Sequence, residues 1–268
     1  MKIPLHWHTE PLLLLLVVGA GWLYALLLGP WRAYWAPAGM AMPWRDVSRF
    51  YAGLILGYLA VGSPLDQLGE GFLLSAHMLQ HMLLIYIVTP LLITGLPVEL
   101  TDYYFIKYPS FTAVFRRLVH PVVGGVLFSA IFTIWHFPEL YEAALRNRVV
   151  HILEHWMMFA PAVLMTWPIL SRSKVVPRMR YGAVMLYAFG LMIADLPLWM
   201  ALIFGDQPVY VTYQLAPRVC WLTASDDMVL GATIMKGFNE VFALISMGWA
   251  FFAWYRQDSQ ASETSHAT

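Results

Sequence analysis

Two histidine pairs, His77/His81 and His151/His155, share an i, i+4 spacing. On a helix that spacing puts both imidazoles of a pair on one face, one turn apart. Their ring nitrogens can then approach to about 3 Å, the separation that two ligands of one metal ion need. Imidazole suits zinc, copper, iron and nickel. Met78, Met82, Met157 and Met158 lie beside the pairs in sequence and carry thioethers suited to Cu(I). Met78 and Met82 are rotated about 100° from the neighbouring histidines, which aims them elsewhere on an ideal helix. The pairs could form one four-histidine site, two sites of two ligands, or a haem clamp. The string His151-x-x-Glu154-His155 also has the HxxEH order of zinc hydrolases, with Glu154 as a general base.

The elements that must position these residues are membrane helices. Of 268 residues, 60% are hydrophobic and 12% charged, about half the charge of a soluble domain. Apolar runs of this length satisfy their backbone in lipid only as helices. Net charge is zero, which gives no reason to expect a nucleic-acid partner. The lone Cys220 excludes an internal disulfide and any CxxC motif. We expect an all-α integral membrane protein, a seven-transmembrane-helix bundle over residues 1–258 with a disordered polar tail at 259–268. The spans fall near 11–29, 48–63, 72–95, 118–136, 149–170, 181–204 and 228–255. The first reads as a retained helix, being long for a signal peptide and lacking a small-residue cleavage site. Pro90, Pro161, Pro168 and Pro197 should bend or loosen their spans.

Basic residues set the orientation. With the N-terminus outside, the inner segments hold Arg32, Arg45, Arg49, Lys107, Arg116, Arg117, Arg172, Lys174, Arg178, Arg180 and Arg256, eleven in all, against four outside: Lys2, Arg146, Arg148 and Arg218. That bias predicts N-out, C-in. His77 and His81 then lie about 8 and 14 Å below the outer surface at 1.5 Å per residue. His136, His151 and His155 reach a similar outer level, as do Asp195, Asp226 and Asp227. One metal site facing the outer leaflet is the simplest account of this one-sided distribution. Asp195 has a competing use, because Lys236 lies at nearly the same depth and could pair with it or with Glu240. His120 reads as a satisfied histidine at a helix start, and His6/His8 as a polar lead-in. Trp135, Trp156 and Trp199 read as interface anchors.

Four strings together resemble the CtaG family of caa-type cytochrome c oxidase assembly factors. They are His77-Met-Leu-Gln-His81-Met-Leu-Leu, Trp135-His136-Phe-Pro-Glu-Leu-Tyr141, His151-Ile-Leu-Glu154-His155-Trp-Met-Met, and Asp227 with Gly231-Ala-Thr-Ile-Met235. The likeness runs through residues 48 to 255 in order. It implies a multi-pass protein of the bacterial cytoplasmic membrane that is not an enzyme. Its cargo would be Cu(I), taken from an extracytoplasmic copper donor. The recipient would be the oxidase subunit that carries the copper–haem centre. The resemblance thus favours copper over zinc or haem, and allows a homo-oligomer. It points to His77, His81, His151, His155 and His136 as ligands, with Met78, Met82, Asp195 and Asp227 as auxiliaries. The last span departs from the family pattern at Asp226-Asp227-Met228 and at Lys236. In such a carrier Glu154 would at most orient a histidine.

Overall fold

The computed structural model describes Trp7, residues 11–205 and residues 207–266, with side chains through 260. His6 and His8 lie outside the described residues. Among the described residues the chain is helical, with no strand. Its α-helices are α1 (Pro11–Leu28), α2 (Trp44–Gly62), α3 (Pro64–Gly71), α4 (Leu74–Leu83), α5 (Thr89–Thr94), α6 (Val98–Lys107), α7 (Pro109–Leu118), α8 (Pro121–Trp135), α9 (Pro138–Arg146), α10 (Arg148–Leu170), α11 (Tyr181–Ala194), α12 (Leu196–Ile203), α13 (Val211–Leu215) and α14 (Ala224–His266).

Local chemistry sets the boundaries. Helices α3, α7, α8 and α9 each open on a proline, whose missing N–H would be unpaired there in any case. Ser63 caps α3 by accepting from Leu65 N, and Asn147 caps α10 by accepting from Val149 N and Val150 N. A π-helical turn, Leu84–Val88, joins α4 to α5 just before Pro90. Proline supplies no N–H to the carbonyl four residues back, and the widened turn absorbs that defect. Pro161 and Pro168 stay inside α10, and near its C-terminal end the Pro168 carbonyl accepts from Met179 N at 2.8 Å.

Five helical stretches are long and apolar enough to cross a membrane: Pro11–Leu28, Leu74–Thr94, Arg148–Leu170, Tyr181–Ile203 and Ala224–Gln260. A sixth arises if α7 and α8, bent by 66° at their junction, count as one span. Helix α2 does not reach that standard, carrying Arg45, Asp46 and Arg49 in its first two turns. It nevertheless runs beside α4 and α5 from end to end. At its start, a Cβ on Gly95 would meet Phe50 N at 2.6 Å. At its far end it leads into α3, where a Cβ on Gly69 would meet His77 Cα at 2.9 Å. Glycine at these two places lets backbone press on backbone.

Arg172 locks the far ends of three helices together. Its Nη2 donates to Thr94 O at 2.7 Å and Leu96 O at 2.9 Å, and lies 3.0 Å from Asp46 Oδ2. The largest apolar cluster packs α4, α8, α10 and α14 through Leu74, Met78, Met82, Phe132, Met158 and Met235. Trp135 belongs to it and is 2% exposed, so it is a core residue and not the expected interface anchor. Trp156 is half exposed, as an anchor should be. Helix α14 continues through the polar segment 259–266, for which the sequence suggested disorder.

Candidate metal centre

The spacing of each histidine pair does what helix geometry requires, and parallel packing of α4 and α10 brings the pairs together. His77 stacks on His151 with centroids 5.8 Å apart, and His81 on His155 at 5.1 Å. The ring order is the same along both helices, so the two run in the same direction.

Three donor atoms meet in this cluster. His77 Nε2 and His81 Nε2 are 2.7 Å apart. Glu154 Oε1 lies 3.6 Å from the first and 3.7 Å from the second. The point equidistant from the corners of that triangle is about 2.0 Å from each, the bond length of a first-row metal to imidazole or carboxylate. All three side chains are buried, Glu154 at 1% exposure. The outer nitrogens His77 Nδ1 and His81 Nδ1 and the second oxygen Glu154 Oε2 have no hydrogen-bond partner among the described residues.

A second group lies beside the first. Donor atoms of Asp66, His151 and His155 fall within 4.8 Å of one another. His151 Nδ1 is 2.5 Å from Glu70 Oε1, while the Nε2 atoms of His151 and His155 are buried without partners among the described residues. Asp66 accepts from Gln80 Nε2, which ties α3 to α4 beside His81.

His136, at the end of α8, holds its Nδ1 2.6 Å from Phe132 O, leaving a buried Nε2 with no partner among the described residues. That arrangement sets the tautomer whose Nε2 lone pair can bind a metal. Tyrosines wall this side. Tyr141 packs on His77 at 5.2 Å, Tyr213 Oη donates to Gly69 O at 2.6 Å, and Tyr210 Oη donates to His136 O at 2.9 Å.

The other residues singled out from sequence have different work. Met78 packs towards α14, where a Cβ on Gly231 would meet its Cγ at 3.4 Å, and Met82 is fully buried in the apolar cluster. Asp195 is 2.8 Å from Lys236 Nζ and accepts from Asn239 Nδ2 at 2.8 Å, so the ion pair claims it. Lys236 also reaches Glu240 Oε1 at 2.7 Å. Asp227 accepts from Leu74 N, Ser75 N and Ser75 Oγ. His120 is the exposed N-cap residue of α8. Sequence reasoning missed Asp66 and Glu70 and gave Glu154 no ligand role. The signal for the first two was present: Ser63-Pro64 opens a helix, and Asp66 and Glu70 are i, i+4 on it.

A family model described as cytochrome c oxidase caa3 assembly factor (Caa3_CtaG) matches residues 22–257. No curated protein and no solved structure matched the chain.

Proposed function

Since the chain belongs to the family of cytochrome c oxidase caa3 assembly factors, we propose that it carries Cu(I) in the membrane and hands it to the copper–haem centre of the oxidase. The observation that carries this reading is the His77–His81–Glu154 triangle, whose centre lies a metal bond length from three donors. A second support is charge. Glu154 is a buried carboxylate whose ion-pair partners among the described residues are histidines, with no lysine or arginine. A cation at the centre would meet the cost of holding that charge in a low dielectric. His136, His151 and His155 stand next to the triangle as further donors.

Three-coordinate Cu(I) has both faces of its ligand plane open. An incoming ligand can therefore bind before an old one leaves, which is the chemistry of a carrier and requires no catalytic base. Copper is here the cargo, taken from an extracytoplasmic donor and passed to the oxidase subunit.

The proposed setting is the bacterial cytoplasmic membrane, with seven spans, N-out and C-in, and the centre near the outer leaflet. The positive-inside count supports the orientation. The seven-span count draws on α2, which leads from the Arg172 clamp to the level of His77. It draws also on the shared direction of α4 and α10, the third and fifth spans.

The test is to purify the protein in detergent, load it with Cu(I), and record copper content and X-ray absorption. Bound Cu(I) with nitrogen and oxygen neighbours, reduced in His77→Ala and His81→Ala, is expected. No bound copper, or a first shell of sulfur, would overturn the reading.

A further inference from the structure

We propose that Asp66, His151 and His155 form a metal station of their own, through which the ion enters and leaves the buried triangle. This inference rests on the carrier reading above. The six donor residues divide into two groups of three, each within 4.8 Å. Each group offers two imidazoles and one carboxylate, so two ions of the same class can be held side by side.

The second group has the features of a prepared site. Glu70 takes the Nδ1 side of His151 at 2.5 Å, which fixes the ring and leaves Nε2 for a metal. Among the described residues that Nε2 is buried without a partner, on a residue 5% exposed, and so is His155 Nε2. Asp66 is held in place through Gln80.

Access separates the two stations. A cavity of about 550 Å³ lies between α1, α2 and α10, and Asp66, Glu70, His151 and His155 all line it. His77, His81 and Glu154 do not. Glu70, at the rim, is 38% exposed at its side chain, against 1% for Glu154. An ion arriving from the cavity would meet Asp66, His151 and His155 first. It would then pass one ring-width inward, since His155 already stacks on His81. Glu70 acts as a positioning residue in this scheme.

The experiment is a Cu(I) titration of the full chain in detergent, read as copper per protein, for wild type, Asp66→Asn, His151→Ala and Glu70→Gln. The wild type should saturate at two equivalents. Asp66→Asn and His151→Ala should each saturate at one, with that remaining ion removed by a bulky Cu(I) chelator at least tenfold more slowly. Two variants guard against a folding defect, because His151→Ala leaves the Asp66–Gln80 bond intact. Glu70→Gln should still reach two equivalents, with the weaker one loosened about tenfold or more, as for other partners of metal-bound histidines. Saturation of the wild type at one equivalent, or of Asp66→Asn at two, would overturn the second station alone. A wild type that binds no copper would overturn the carrier reading as well.

Discussion

Asp227, in the first turn of α14, closes the N-terminus of α4: its carboxylate accepts from Leu74 N at 2.7 Å and from Ser75 N at 3.2 Å. Those amides have no partner within their own helix, and a carboxylate there also opposes the helix dipole. His77 follows one turn later, so the last span holds the helix of the first histidine pair in place. Asp227→Asn should therefore lower the melting temperature in detergent, by a loss of about 1–3 kcal/mol for the weakened buried bonds. Copper per protein at saturation should stay at its wild-type value. Loss of one whole equivalent without a change in melting would show Asp227 to be a ligand after all.

Glu142, on α9, offers a test by pH. Burial pushes its carboxyl up, but hydrogen bonds from Thr212 N and Oγ1 and the Arg146 guanidinium outweigh this and hold it below its ordinary value of 4.5. A carboxyl depressed in the folded state adds stability that is fully present above the unfolded value. That stability is lost as the pH falls through the lower folded value. Glu142→Gln should thus melt earlier than wild type at pH 7, and the gap should close on acidification below 4.5. A gap of constant size across that range would mean that the charge contributes nothing.

Topology can be read with reporters. With seven spans and the N-terminus outside, a C-terminal fusion active only in the cytoplasm should be on. One inserted in the polar loop near Asn147, between α9 and α10, should be active only outside. If α2 does not cross, the N-terminus and the Asn147 loop fall on opposite sides, and paired reporters at these two positions will say so.

The histidine pairs and their shared level were legible because they depend on helix periodicity and charge bias, which are local or additive along the chain. The ion pair of Asp195 with Lys236 was legible for the same reason, as equal depth on two apolar helices leaves few other partners. The partners of the histidine cluster were not. Whether Asp66 faces His151 depends on how α3 folds back, and that turns on Gly69 admitting the His77 backbone. The wall position of Trp135 was misread because an aromatic at a helix end looks the same in sequence whether it faces lipid or core. Met78 and Met82 look like soft ligands until α14, more than a hundred residues later, claims their side of α4.

Glu154 separates the carrier from a hydrolase, and its position changes what its removal should do. From sequence, a carboxylate between two histidines reads as a base or as an orienting group, and a carrier would tolerate its loss. In the structure Glu154 Oε1 is instead a corner of the donor triangle, 3.6 and 3.7 Å from the two histidine nitrogens, which would make it a ligand in the proposed centre. Glu154→Gln keeps the shape and removes the anion. Cu(I) affinity should fall at least tenfold, the lower range for disturbing a metal site, and support of oxidase assembly should fall with it. A general base would behave otherwise: its amide variant keeps the metal and loses only the proton-transfer step. Metal content, chelator competition and oxidase activity measured on the same variant therefore decide the matter. Undiminished copper with complete loss of assembly would remove Glu154 from the ligand set and make it a residue that handles protons.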